Sequence, residues 1–269
     1  MSIVIISRGS YSHGKEVAEK VAQKLGYRCI AREVLLEASE HYNVPEAKLQ
    51  EAIQNAPSIL DRFVYGKEKY IAYIQAALLR HFKEDNVVYH GMAGHFFVRG
   101  IAHVLKVRII ADLEERVRIV MDREKIPREK ALKYIEQLDE ERRNWSRRLY
   151  GIDTRDPSLY DLVLHIRKLS VEDAAEIICH TLKMEHFKTT PESQRAMEDL
   201  ALAAEVRAIL TPLRPDVEVS STDGVVLIQV RANEAQEAVI VQEMAEALRA
   251  VPGIKELKVK VMPITLFEM

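Results

Sequence analysis

Ile3-Val4-Ile5-Ile6-Ser7-Arg8-Gly9-Ser10-Tyr11-Ser12-His13-Gly14-Lys15-Glu16 is the stretch that decides the fold. Its β-branched opening reads as a buried strand. The polar loop from Ser7 to Gly14 follows, and Lys15 to Leu25 then places Val17, Ala18, Val21, Ala22 and Leu25 on one face of a helix. Gly9 to Lys15 fits G-x-x-x-x-G-K. Between a strand and a helix, that spacing lets backbone N–H groups and the helix N-terminus cradle phosphates while the lysine reaches the outer ones. Gly9, Ser10, Ser12, His13, Gly14, Lys15 and Glu16 are the candidate phosphate-binding residues. The final position of the pattern ordinarily carries Ser or Thr, whose hydroxyl holds Mg²⁺; here it is Glu16. The bland alternative is a plain strand-to-helix turn with an exposed lysine.

Working outward, Arg28-Cys29-Ile30, Val87-Val88-Tyr89, Val104 to Ile110 and Leu162 to Ile166 read as strands. Helical periodicity covers Val34–Tyr42, Pro45–Asn55, Tyr70–Lys83, Leu113–Arg123, Arg128–Leu149 and Val171–Met184, with a loop around Pro57. Strands alternating with helices predict an α/β domain, a parallel sheet with helices on both faces. The pattern breaks at residues 188–193, read as a linker between residues 1–187 and a small unit, 194–269. That unit contains a helix (Arg195–Leu210), a hairpin turning at Asp223-Gly224, a helix (Ala235–Ala250) and a last strand (Glu256–Met262), an α-β-β-α-β order.

Composition narrows the function. The chain has 269 residues, 48% hydrophobic and 30% charged, and a net charge of -2, which argues against a nucleic-acid coat or a polybasic membrane protein. Two cysteines, Cys29 and Cys179, exclude a disulfide-rich scaffold and read as reduced core residues. The apolar N-terminal run is too short for a signal peptide, and no stretch reaches the roughly 18 apolar residues of a spanning helix. A cytoplasmic protein with no membrane span is expected.

Ser7-Arg8 with Ser12, Gly14, Lys15 and Val17-Ala18 resembles the opening of the cytidylate kinase-like family of P-loop kinases. Further matches follow in order. They are Gly91, Val107-Arg108-Ile109, Glu115-Arg116, Arg123-Glu124, Asp139-x-x-Arg142-x-x-Trp145 leading to Tyr150-Gly151, Asp156-Pro157, Tyr160 to Val163, and Leu169-Ser170. The resemblance covers about residues 1–183. It implies an NMP-kinase-like P-loop fold and an ATP-dependent phosphotransferase that, with Mg²⁺, moves the γ-phosphoryl group to a small acceptor. The implied acceptor is a nucleoside monophosphate, CMP or dCMP. The sequence departs from the family at Tyr11 and His13, where the loop has glycines. It departs again at Met92, which stands where the family has an arginine, and at His165-Ile166, which replace Asn-Thr. Those departures favour the alternative, a catalytically weak or inactive nucleotide-binding regulator whose C-terminal domain binds a partner or ligand.

Phosphoryl transfer needs positioning and cations more than covalent chemistry. Lys15 is the candidate for the β/γ-phosphates, with Arg142 and Arg147 as lid cations; Arg142 lies in the family's lid motif and Arg147 is chosen by helical spacing. The competing reading is a solvated helix face in which Asp139 and Arg143 form an i,i+4 pair. Arg8 and Arg32 follow strands, at the edge where α/β sheets bind ligands, and are substrate-binding candidates. Arg32 or Arg99 is expected to replace the cation missing at Met92. Asp112, at a strand end, is the candidate to hold Mg²⁺ through water, with a helix N-cap as the alternative. His13, His90 and His95 match no metal signature. Trp145 and Tyr150 could stack on a base, but helical spacing makes core more usual. Residues 194–269 faintly resemble a BON-type module through Val251-Pro252-Gly253-Ile254, which implies membrane or ligand binding; without a signal peptide, a cytoplasmic role in regulation or homodimerisation is expected instead.

Overall fold

The computed structural model describes residues 2–54, 67–91 and 94–263; Met92 and the loop around Pro57 lie outside them. In chain order the larger unit comprises β1 (Ile3–Arg8), α1 (Gly14–Leu25), β2 (Arg28–Ile30), α2 (Glu33–His41), α3 (Glu46–Gln54), α4 (Lys67–Lys83) and β3 (Val87–His90). It continues with α5 (Gly94–Phe97), β4 (Val104–Ala111), α6 (Leu113–Glu124), α7 (Arg128–Tyr150), β5 (Leu162–Ile166) and α8 (Val171–Leu182). The five strands form one parallel sheet in the order β2-β3-β1-β4-β5.

Alternation along β1 fixes the two layers. Val4 and Ile6 pack with Val17, Val21 and Ile178 beneath α1 and α8. Ile3 and Ile5 face the other way, into a core built from α4, Phe96 and Trp145. The chain leaves β1 for β2 on one side and reaches β4 on the other, so the carboxyl end of β1 lies where α/β sheets bind ligands. Helices α6 and α7 pair over that end around Val117, Val120, Ala131 and Ile135.

A helix then runs from Pro191 to Leu210 (α9), beginning inside the stretch read as a linker. The reason is local: Thr190 and Ser193 form a reciprocal capping box and proline occupies the first turn. Its apolar residues wrap the helix. Met197, Ala201, Ala204 and Ala208 join the core of α4, whereas Val206 and Leu210 join that of a second sheet. That sheet contains β6 (Glu218–Thr222), β7 (Val225–Arg231) and β8 (Glu256–Met262), covered by α10 (Glu237–Ala247). Asp223 and Gly224 both have positive φ, as a two-residue hairpin requires. The Asp199 carboxylate of α9 accepts from both turn N–H groups, at 2.8 and 3.0 Å. No helix among the described residues is long and apolar enough to cross a membrane.

Candidate active site

The loop between β1 and α1 is tight at its far end. A Cβ at Gly14 would sit 2.6 Å from Cβ of Arg8, so only glycine fits there. Tyr11 and His13 adopt φ of 56° and 62°. A left-handed backbone costs a side-chain-bearing residue roughly 1–2 kcal/mol, so the surroundings must hold this loop in place. They do so from two sides. On the sheet side, Gly9 N–H donates to Ile109 O at 3.1 Å, and the Ser12 hydroxyl lies 2.9 Å from Gly9 O and 3.1 Å from Ile109 O. On the α6–α7 side, Arg116 Nε donates to Ser10 O at 2.6 Å, and its Nη2 meets Asp139 Oδ2 at 2.6 Å. The other Asp139 oxygen accepts from Ser10 N–H at 3.4 Å, and the Tyr11 ring packs against the α6–α7 cluster. These contacts fix the shape of the loop, and the first amides of α1, which have no partner within the helix, are available to an anion.

Beside the loop opens a cleft of about 450 Å³ lined by Arg8, Arg108, Arg116, Arg142, Arg143 and Arg155, with Asp139 its one lining carboxylate among the described residues. Three of these arginines are neutralised: Arg116 by Asp139, Arg143 by Glu140 and Arg155 by Asp153. Arg8, Arg108 and Arg142 form no ion pair with a described carboxylate. Arg142 Nη1 donates to Arg8 O at 3.4 Å. Burial, and then the Arg8 charge, pulls the Arg142 guanidinium below its ordinary pKa; burial does the same to Arg8. Desolvated cations side by side are a standing electrostatic cost that an anion relieves. The same environment holds two histidines neutral. Burial first, then neighbouring arginines, lowers His95 to about 3 and His90 to about 4.

The other sequence-predicted residues lie elsewhere. Lys15 is 60% exposed, with Nζ 3.6 Å from Glu19, and does not line the cleft. Glu16 is also exposed, and His13 stands 3.8 Å from Glu115. Arg147 binds Asp153 at 2.7 Å, Arg32 binds Glu46 at 2.7 Å, and Arg99 is exposed just beyond α5; none of the three lines the cleft. Asp112 makes no side-chain cap and is instead held by His165 at 2.9 Å and Arg167 at 3.0 Å. Trp145 is buried and donates to Ala52 O at 2.8 Å, and Tyr150 stacks on Phe96, so both serve the core. Sequence reasoning gave no ligand-binding role to Arg108, Arg116, Asp139, Arg143 or Arg155, and the helix pair it offered between Asp139 and Arg143 does not form, because Asp139 meets Arg116 and Arg143 meets Glu140. The one usable signal was an arginine inside the β-branched strand Val107-Arg108-Ile109, where alternation turns a charge toward a sheet face.

Residues 3–168, from β1 to just beyond β5, match the cytidylate kinase-like family. The chain belongs to this family. It is 30% identical over 184 residues to the cytidylate kinase of Ignicoccus hospitalis, covering 66% of this chain and 97% of that one. To the cytidylate kinase of Archaeoglobus fulgidus it is 29% identical over 179 residues, 64% of this chain and 89% of the relative. The fold is similar to the crystal structure of an uncharacterised protein from Eubacterium ventriosum, with a TM-score of 0.52 at 18% identity over 69% of this chain and 100% of that one. Membership in the cytidylate kinase-like family makes the chain a nucleotide kinase, with ATP as the phosphate donor.

Proposed function

We propose that this protein transfers the γ-phosphoryl group of ATP to a nucleoside monophosphate, with CMP or dCMP the preferred acceptor. The observation that carries the reading is the pair of half-buried guanidinium groups of Arg8 and Arg142, with no ion pair to a described carboxylate, beside the strand–loop–helix cradle. Amides of residues 12–16 hold the outer phosphates of the donor. Arg8 and Arg142 then face the transferred phosphoryl group, whose equatorial oxygens carry the charge of a loose transition state. Lys15, on the exposed first turn of α1, reaches the same phosphates once it releases Glu19.

The described residues do not fit a dedicated Mg²⁺ site. Glu16 is exposed in place of a hydroxyl, Asp112 is held by His165 and Arg167, and Asp139 by Arg116 and Ser10. Mg²⁺ brought with ATP would therefore take its ligands from phosphate and water.

The test is ADP release across CMP, dCMP, UMP, AMP, GMP and small alcohols. CMP or dCMP should stimulate it most. If no monophosphate raises release above background hydrolysis, the kinase reading fails. A second reading, a nucleotide-binding regulator, draws on the outward pairing of Lys15 with Glu19; it predicts ATP binding with no turnover on any acceptor.

A further inference from the structure

Arg108 is the cleft cation that the reading above leaves without a task. It lies on β4 opposite Ser7 of β1, two residues before the loop begins. Its neighbours Val107 and Ile109 pack on the α1 side of the sheet, so alternation turns Arg108 to the opposite side, with Ser7. On the proposed reading the donor's phosphates are held at the N-terminus of α1, on the α1 side. Arg108 thus stands within the same cleft but across the sheet from them.

Its partners are all neutral. Nη1 donates to Tyr160 Oη at 3.3 Å and to Ser7 Oγ at 3.4 Å, and the guanidinium lies 5.6 Å from the centre of the Tyr160 ring. Tyr160 has one hydroxyl proton and Thr154 O, 3.0 Å away, only accepts, so that proton goes to Thr154 and the Tyr160 oxygen is left to receive Arg108. His95, 3.4 Å from the same oxygen, is uncharged at neutral pH and gives Arg108 no competing charge. A guanidinium carries five donors in a fork that matches a phosphate, and here two neutral hydroxyls hold one end while no described carboxylate occupies the rest.

We propose that Arg108, oriented by Ser7 and Tyr160, is the specificity-determining contact to the phosphate of the acceptor nucleotide. The proposal rests on the monophosphate-kinase reading. It assigns to a strand residue the charge that neither Arg32, bound to Glu46, nor the exposed Arg99 brings to the cleft. Tyr160 is then a positioning residue.

The experiment compares equilibrium binding of CMP with that of cytidine, alongside steady-state kinetics. Arg108→Ala should raise KM for CMP about tenfold to a hundredfold, the size of one charged hydrogen bond, with the Kd for ATP little changed. The preference for CMP over cytidine should collapse by the same factor. Arg108→Lys should recover part of it, and Tyr160→Phe should raise KM for CMP less, without changing cytidine binding. Circular dichroism and Tm establish that each variant folds. Unchanged KM and an unchanged CMP-to-cytidine ratio in a folded Arg108→Ala overturn the proposal while leaving the kinase reading standing. Wild-type protein that turns over no monophosphate overturns the kinase reading itself.

Discussion

Arg142 and Arg147 lie five residues apart on α7 and meet opposite circumstances. Arg142 is half-buried against the loop, beside a second arginine without an ion pair, and among the described residues its one hydrogen-bond partner is a backbone carbonyl. Arg147 is half exposed and bound to Asp153, which Arg155 shares. The contrast recurs elsewhere: Arg32 and Arg116 each have a carboxylate, and Arg8 and Arg108 pair with none among the described residues. An arginine with an acid at hand is already satisfied and holds the scaffold together. One kept unpaired in a partly desolvated wall stores a preference for an incoming anion. On the proposed reading, charge compensation rather than arginine count separates the working cations from the structural ones.

The sharpest way to break that distinction is Arg142→Ala. Loss of a preorganised charge facing the transferred group should lower kcat about 10²–10³-fold in a folded protein. A loss within twofold would place Arg142 with the scaffold arginines. Lys15→Ala comes next, with an expected loss of about tenfold to a hundredfold in ATP affinity or turnover and no change in Tm. Glu19→Gln refines this, since freeing Lys15 should leave turnover equal or higher. If Lys15→Ala changes neither affinity nor turnover, Lys15 serves only its helix.

The histidines give a pH test. His90 has a folded pKa of about 4, below the usual 6.5, so the unfolded chain binds the extra proton first. Its contribution to stability is complete above pH 6.5 and is lost as pH falls toward 4. Tm measured from pH 7 to 4.5 should fall, and His90→Gln should flatten the slope; identical slopes would remove His90 from the acid response. The smallest effects belong to Arg147→Ala and Arg32→Ala. Each removes an exposed ion pair worth about 0–1 kcal/mol, so kinetics should change less than about twofold. A large kinetic loss in either would blur the division between the two sets.

Much of the architecture was legible because local signals agreed with one another. The β-branched runs, the Asp223-Gly224 turn and the amphipathic stretches each point to the element observed. The strand–loop–helix around Gly9–Lys15 was legible for the same reason, a motif lying between the right elements. What the sequence hid were partnerships across the chain. That Arg32 meets Glu46, and Lys15 meets Glu19 rather than the loop, is decided by rotamers and packing. That Arg116 and Asp139 together hold Ser10 depends on α6 and α7 closing over β1. Residues 188–193 read as a linker because Thr-Pro breaks periodicity, yet the same Thr190 and Pro191 start a helix.

That helix, α9, is a party wall. One side of Pro191–Leu210 completes the core of α4 and the other roofs the small sheet, and Glu205 adds a polar clasp to Arg80, 3.0 Å away. A wall shared by two rooms cannot be removed with either. Recombination that cut the chain at residues 188–190 would strip the kinase half of Met197 and its alanine seam, and hand the other half a helix with that seam bare. Cutting the chain at residues 188–190 should therefore lower the stability of both units, and heat should melt the two halves of the intact chain in one calorimetric peak.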